Sequence, residues 1–186
     1  MIINEPQLEA DLAGRRLVCP GCEGRLAPWG FARSREVRML HGVRSVRPRR
    51  AYCQGCGTTH VLSPAWSVPR RRDGAEVIGE ALRQAALGAG HRTIAARVGR
   101  PAGTVRGWLR AGRRRTEALR RCGTVWACAL DPEQGRITPA GSPLGDAVEA
   151  LATAGRAHVL RFGSLGSPWE LAVAFTDGLL YGRDPP

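Results

Sequence analysis

Four cysteines are arranged as two closely spaced pairs, Cys19-Pro-Gly-Cys22 and Cys53-Gln-Gly-Cys56, with 30 residues between the pairs. Each pair can wrap a tight knuckle around one cation, and four thiolates complete a tetrahedral shell. A shell closed by four sulfurs leaves no position for water or substrate, so a zinc ion held in it would be structural and not catalytic. The sequence therefore predicts a structural zinc site formed by Cys19, Cys22, Cys53 and Cys56.

Two other kinds of metal site fit these residues less well. A rubredoxin-like iron site uses a similar spacing, but such proteins tend to be acidic, whereas eight arginines lie between Arg25 and Arg50. His41 and His60 could each replace a sulfur ligand, but four cysteines suffice, and we expect a turn residue and a surface residue instead. Cys122 and Cys128 fit no metal spacing, and we expect both to be small buried apolar residues.

The segment between the cysteine pairs favours a β-hairpin. Apolar residues recur at strand-like spacing from Leu26 to Tyr52, with His41-Gly42 as the turn. Gly24 and Gly57 are free to take the left-handed backbone that points amide groups at sulfur. A zinc ribbon over residues 18–66 follows, in which the metal contributes about 10 kcal/mol to folding and replaces the core that so short a segment lacks.

The positive charge is concentrated in the first two thirds of the chain. All 28 basic residues are arginine, and the formal net charge is +12. Up to Arg121 there are 24 arginines against nine acidic residues, a formal +15, and beyond it four against seven, a formal −3. Such a field attracts a polyanion, because each neutralised phosphate releases condensed counterions. A solvated surface that reflects GC-rich coding is the alternative interpretation of the composition.

Three helices are predicted after the hairpin. Asp73-Gly74-Ala75-Glu76 has the form of a capping box, and the helix that begins at Asp73 ends before Gly88. A second short helix ends at Gly99, and a third begins near Pro101. The spacing predicts a three-helix unit over residues 73–115.

The run from Gly90 to Leu109 (GHRTIAARVGRPAGTVRGWL) resembles the helix-turn-helix of homeodomain-like resolvases and transposases. Arg100 and Pro101 depart from the pattern, where an apolar residue and a Ser or Thr N-cap are usual. An amphipathic helix pair of purely structural purpose would show the same periodicity. The positions that carry the match are the small residue at the helix crossing, the turn residue and two core residues of the recognition helix: Ala95, Gly99, Val105 and Trp108.

In such a unit the third helix enters the major groove with its first turns against the base edges. Arg106 and Arg110 are the candidates for reading bases, because arginine donates a bidentate pair to guanine. Arg70 to Arg72 either bind phosphate, lie in a minor groove or form a solvated linker. The remaining candidates are expected to bind backbone phosphates and so to position the protein: Arg92, Thr93, Thr104, Arg113, Arg114 and Arg115.

The whole arrangement from Val18 to Arg115 resembles the N-terminal DNA-binding region of zinc-ribbon insertion-sequence transposases and of related uncharacterised bacterial proteins that keep only that region. The resemblance implies a transposon-related protein that binds double-stranded DNA. Full-length members add an RNase H-like domain with three carboxylates for two-metal strand transfer. The 71 residues after Arg115 have no alternating strand and helix pattern, so we expect no enzymatic activity. The alternatives are a DNA-binding subunit whose catalytic chain is supplied in trans, or RNA binding by the arginine-rich ribbon.

The last part of the chain, residues 116–186, is predicted to be a helical tail. A helix is expected over Glu117 to Leu130, and two short helices after Pro143, the second opened by a capping box at Ser167 and reaching Leu180. Packing onto the helix-turn-helix is the default for its apolar stripe, and a second copy or a protein partner are the alternatives.

The expected fold is mostly α with a small β zinc ribbon. Its parts are an N-terminal extension (1–17), the four-cysteine zinc ribbon (18–66), a basic linker (67–72), the homeodomain-like helix-turn-helix (73–115) and the helical C-terminal tail (116–186). The start of the chain lacks the basic and apolar regions of a secretory signal, and no apolar run approaches the length that spans a bilayer. We therefore expect a cytoplasmic, nucleoid-associated protein.

Overall fold

A computed structural model describes residues 2–3, 7–163 and 166–178. About half of the chain is helical, and the strands form small sheets. In chain order the elements are β1 (Ile2–Ile3), α1 (Leu8–Ala13), β2 (Leu26–Phe31), β3 (Arg35–Arg38), β4 (Val43–Val46), β5 (Arg49–Cys53), β6 (Thr59–Pro64), α2 (Ala75–Ala86), α3 (His91–Val98), α4 (Ala102–Arg113), α5 (Thr116–Leu130), α6 (Pro143–Phe162) and α7 (Pro168–Phe175).

The predicted hairpin is present, but it is divided into two sheets. The inner part, β3 and β4, turns at His41 and Gly42, where Gly42 has a φ of +87° that glycine adopts without strain. The outer part pairs β2 with β5 in an antiparallel ladder. The two parts separate near Pro48, which has no amide to donate to a ladder, although its carbonyl accepts from the Ala32 amide at 2.8 Å.

Two further strands were not predicted from the sequence. β6 adds an antiparallel neighbour to β5, and β1 pairs with β6 in parallel. The resulting four-stranded sheet has the order β1-β6-β5-β2, so β2 is an edge strand. Leu8 and Leu12 of α1 pack against one face of this sheet together with Leu26 and Leu62. The N-terminal extension therefore contributes to the core of the cysteine segment, the name used below for residues 18–66.

The three predicted helices correspond to α2, α3 and α4. Gly99 ends α3 in the left-handed conformation, with φ +65°. The start of the first helix differs from the prediction, because the N-cap of α2 is Gly74 and no side chain caps it. Asp73 instead forms ion pairs with two arginines, and these stronger, charge-assisted contacts replace the capping hydrogen bond.

The helical tail packs back onto these helices. Residues of α6 and α7, such as Leu151 and Val173, share one buried core with Ile78, Leu82 and Trp108. The predicted packing of the tail onto these helices is therefore confirmed, whereas the prediction of two short helices is wrong for the first of them, because α6 has 20 residues. The last helix, predicted to reach Leu180, ends at Phe175 and is followed by a turn at 176–178, while Leu180 itself lies outside the described residues.

α5 and α6 approach each other closely because one contact position is a glycine. A Cβ at Gly123 of α5 would lie 2.6 Å from the carbonyl carbon of Ala150.

None of the described helices is long and apolar enough to cross a membrane.

The cysteine segment is joined to the helices by a network around Asp73, whose side chain is only 5% exposed. Arg38 of β3 donates from Nη2 to Asp73 Oδ2 at 2.7 Å, and Arg100, between α3 and α4, donates from Nε to Oδ1 at 2.5 Å. Arg100 also donates to the Met39 carbonyl at 3.0 Å. The hairpin and the three-helix unit therefore share one buried carboxylate.

Residues 67–72 connect the two parts and are held to the hairpin by hydrogen bonds. Arg35 donates from Nη2 to the Ser67 hydroxyl at 2.7 Å, and the Arg38 amide donates to the Arg72 carbonyl at 2.7 Å. The side chains of Arg70, Arg71 and Arg72 are exposed. The backbone of this segment is thus fixed while its guanidinium groups remain in solvent.

Candidate functional site

The four predicted metal ligands converge at one point of the cysteine segment. Their sulfur atoms all lie within 4.8 Å of one another. Cys19 Sγ lies 3.8 Å from Cys56 Sγ, and Cys22 Sγ lies 3.4 Å from Cys53 Sγ. A tetrahedral metal with bonds of about 2.3 Å to sulfur needs sulfurs about 3.8 Å apart. The cysteine cluster, meaning these four residues, could therefore hold a metal ion.

The two knuckles of the cysteine cluster have the same backbone geometry. In each, the carbonyl of the first cysteine accepts from the amide four residues later: Glu23 N to Cys19 O at 2.9 Å and Gly57 N to Cys53 O at 3.0 Å. These donors take the left-handed conformation, with φ +59° at Glu23 and +74° at Gly57. The expectation that Gly24 would do so is wrong for the first knuckle. Gly24 instead allows close approach, since a Cβ there would lie 3.0 Å from Cys53 Sγ.

Two sulfur atoms of the cluster, those of Cys22 and Cys56, have hydrogen-bond partners that shift their pKa values in opposite directions. The Thr58 hydroxyl, 3.3 Å from Cys56 Sγ, and the Thr58 amide lower the pKa of Cys56 to about 6. The Gly24 amide lowers the pKa of Cys22, but the hydrogen bonds that the Cys22 thiol donates to Cys53 and the other cluster sulfurs, together with burial, outweigh it and raise that pKa to about 12. The pKa values of Cys56 and Cys22 are therefore shifted in opposite directions, and a bound cation would favour the thiolate of both.

The two histidines near the cluster have different environments. His41 is an exposed turn residue, as predicted. His60 was expected at the surface, which is wrong: it is half-buried on β6, with Nε2 3.3 Å from Cys19 Sγ. The reason is the register of β6, which places His60 opposite Ala51 on the buried side of the sheet. An imidazole at this distance can stabilise the charge of a metal-bound thiolate through a hydrogen bond.

The other two cysteines lie far from the cluster, on α5. Cys122 is half-buried, its thiol donates to the Phe175 carbonyl at 3.0 Å, and burial raises its pKa. Cys128 is exposed, so the expectation that it is buried is wrong.

A second candidate site is an open groove between the start of α3 and the outer face of α4. Val105, Trp108 and Leu109 of α4 are buried, so helical periodicity turns the arginines between them outward. The groove has a volume of about 460 Å³. We call it the arginine groove and define it by Gly90, His91, Arg106, Arg110, Arg113 and Arg114.

The charge of the arginine groove is not neutralised within the part of the chain that the structure describes. Many other arginines there are paired with carboxylates, including Arg49 with Glu9 and Arg83 with Glu80. None of the four groove arginines has such a partner among the described residues, and all four are exposed. Gly90, the N-cap of α3, adds the positive end of a helix dipole with no side-chain cap. The groove is therefore suited to an anion.

The structure brings together half of the residues that were predicted to bind DNA. Arg106, Arg110, Arg113 and Arg114 line the arginine groove. Arg92 and Thr93 are exposed in the first turn of α3, directly after His91. Thr104 is half-buried on α4, and Arg115 is half-buried where α4 meets α5. These last two residues do not line the groove.

A scan against protein-family models, a search of the curated proteins and a search of the solved structures each found no match to this chain. The geometry of the cysteine cluster and of the arginine groove is therefore the basis on which a function is assigned.

Proposed function

We propose that this chain is a transposon-related protein that binds double-stranded DNA, with a zinc ion in the cysteine cluster and with α4 in the major groove. The observation that carries the proposal is the row of exposed arginines on α4 that no carboxylate of the described chain neutralises. A field of uncompensated guanidinium groups in a concave surface is the electrostatic signature of a site for phosphates.

Zinc is the metal that the donor set favours. Four cysteine sulfurs at these separations match a closed tetrahedral shell, which zinc prefers in structural sites. The arginine-rich surroundings argue against an electron-transfer iron centre, whose proteins tend to be acidic. The knuckles and antiparallel strands are then interpreted as a zinc ribbon, with His60 supporting Cys19 from outside the shell.

The α3 and α4 pair is interpreted as a helix-turn-helix. Its short turn contains Gly99 in the left-handed conformation, and the exposed positions of α4 fall on one face, at Arg106, Arg110 and Arg113. With α4 in the major groove, Arg106 and Arg110 would donate to guanine O6 and N7. The start of α3, with Arg92 and Thr93, would lie at the phosphate backbone.

The proposed role is binding without catalysis, by a protein that resides at the nucleoid in the cytoplasm. A rival role as the DNA-binding subunit of a transposase predicts cleavage or strand transfer with Mg²⁺ once a catalytic chain is present. Incubating labelled duplex with the pure protein, and then with host extract added, separates the two. Activity in either mixture would favour the rival.

Binding to duplex DNA is expected to weaken steeply with salt, because each arginine–phosphate contact releases counterions. Three arginines on phosphates, Arg92, Arg113 and Arg114, would give a slope of about −2.7 in a plot of log affinity against log salt. The measurement is fluorescence anisotropy of a labelled duplex with the full-length protein. Arg136→Ala, which removes an exposed arginine outside the groove, serves as the matched control and should leave the slope unchanged. A flat salt dependence would contradict the proposal.

Arg106→Ala and Arg114→Ala are expected to have different effects. Loss of a base contact at Arg106 should reduce discrimination between preferred and unrelated duplexes by about 1 to 3 kcal/mol. Loss of a phosphate contact at Arg114 should weaken binding to all duplexes alike. Selection from genomic fragments supplies the preferred sequence, and anisotropy with both duplexes gives the two affinities. The reverse pattern would mean that another face of α4 reads the bases.

A further inference from the structure

One side of the sheet in the cysteine segment faces solvent. Residues opposite each other on neighbouring strands share a face of a sheet. The buried face carries Leu26, Ala51 and Cys53. The residues that alternate with these along each strand lie on the other face, where the following pairs are opposite each other: Ala27 and Tyr52, Tyr52 and Thr59, Arg50 and Val61. We call this outer set, together with the adjacent Trp29, the open sheet face: Trp29, Arg50, Tyr52, Thr59 and Val61.

The open sheet face presents an aromatic pair. The Trp29 and Tyr52 ring centroids lie 5.2 Å apart, with the ring planes tilted by 32°. Trp29 lies in an irregularity of β2 between Pro28 and Phe31, where Gly30 has a φ of +81°. Such bulges redirect side chains and are common next to functional sites. The indole packs against the Tyr52 ring and still leaves 56% of its surface in solvent.

Positive charge lies beside these aromatic rings. Arg50 belongs to the open sheet face, and its buried Nε has no hydrogen-bond partner in the described chain. Phe31, whose ring lies 4.9 Å and 4.5 Å from the Arg47 and Arg49 guanidinium groups, pairs with Arg49 and so lies on the opposite face of the sheet, outside this surface. An exposed aromatic pair next to an arginine is a pattern by which proteins bind single strands: rings stack on bases, and guanidinium groups contact the phosphates.

We propose that the open sheet face binds single-stranded DNA by stacking unpaired bases on Trp29. The bases of an intact duplex are stacked on each other, so this surface would engage only a melted, frayed or overhanging strand. The arginine groove and the open sheet face are separate surfaces. The inference rests on the proposed function only in taking DNA as the polymer, and single-strand binding is measurable whether or not α4 binds a duplex.

The test is anisotropy of the full-length protein with a labelled oligothymidylate and with a blunt duplex. Trp29→Ala should weaken binding of the oligothymidylate by about tenfold, the loss expected for one stacked base, and leave binding of the duplex unchanged. Trp29→Phe, which keeps an aromatic ring, should restore most of the affinity. Because Trp29 is largely exposed, both variants should fold, and thermal unfolding of each checks this directly.

Several outcomes would overturn the proposal. Equal affinities of wild type and Trp29→Ala for the oligothymidylate would do so, as would equally tight binding of an abasic strand, which has phosphates but no bases. An RNA strand of matching length that binds tenfold tighter would assign the surface to RNA instead. If the oligothymidylate binds through Trp29 but no duplex binds, the duplex proposal fails and this inference stands. If the duplex binds with a steep salt dependence and Trp29→Ala has no effect, the reverse holds.

Discussion

Replacement of Cys53 by Ser, or removal of the metal by a chelator, is expected to unfold the cysteine segment. Structural zinc contributes about 10 kcal/mol to the folding of small domains, and the core of this segment is too small to offset that loss. Its largest fully buried side chains are Leu12, Leu26 and Leu62, and the ligands Cys19 and Cys53 themselves belong to the core. Loss of the metal therefore removes both the cross-link and part of the packing.

Hydrogen exchange and metal analysis measure this effect by region. We expect one zinc ion per chain in the wild type, and in Cys53→Ser we expect loss of the metal and of amide protection in β2, β5 and β6. Protection in α2, α4 and α6 should be retained, because those helices have a separate core. Cys128→Ser is the matched control, since Cys128 is exposed and lies outside the cluster. A wild-type protein without zinc or iron, or a Cys53→Ser variant that keeps its metal and its unfolding temperature, would contradict the prediction.

Features that depend on neighbouring residues in the chain could be predicted from the sequence. The cysteine cluster follows from two short spacings, because each knuckle is closed by hydrogen bonds within five residues of its first cysteine. The lengths of α3 and α4 follow from apolar periodicity and from Gly99, whose left-handed backbone ends α3. The outward face of α4 follows from the same periodicity, so Arg106 and Arg110 could be identified.

Features that depend on distant residues could not be predicted. Whether an Asp before a helix acts as a cap depends on what lies next to it in the fold, and here Arg38 comes from a hairpin 35 residues earlier. The burial of His60 depends on the register of β6, and the exposure of Trp29 depends on a bulge that no residue pattern revealed. Arginine counts also overstated the free charge, because the fold brings Glu9 to Arg49, 40 residues later in the chain.

Asp73 fixes the position of the hairpin relative to α4, because it pairs with Arg38 of β3 and with Arg100 just before α4. Arg100, between α3 and α4, donates to both this carboxylate and the Met39 carbonyl of the hairpin. This one side chain therefore links the hairpin to the three-helix unit. Any nucleic acid that contacts both the cysteine segment and α4 meets two surfaces whose separation is set by this network.

Asp73→Ala is expected to lower the free energy of unfolding by about 3 to 5 kcal/mol, the usual loss when one partner of a buried ion pair is removed. The Arg100 side chain is only 14% exposed and would keep a buried, unpaired charge, whereas Arg38 is 43% exposed and can turn to water. Most of the loss should therefore come from Arg100. Urea unfolding of the full-length, metal-loaded protein gives the free energies.

The double variant Asp73→Ala/Arg100→Met tests this cause. Met keeps the length of the apolar stem but carries no charge, so the double variant should recover part of the stability that Asp73→Ala loses. Arg38→Ala is the matched control for an exposed partner and should cost about 1 kcal/mol or less. A double variant that is less stable than Asp73→Ala alone would contradict this cause. It would mean that Arg100 stabilises the protein mainly through its hydrogen bonds to the Val98, Gly99 and Met39 carbonyls, and less through its ion pair with Asp73.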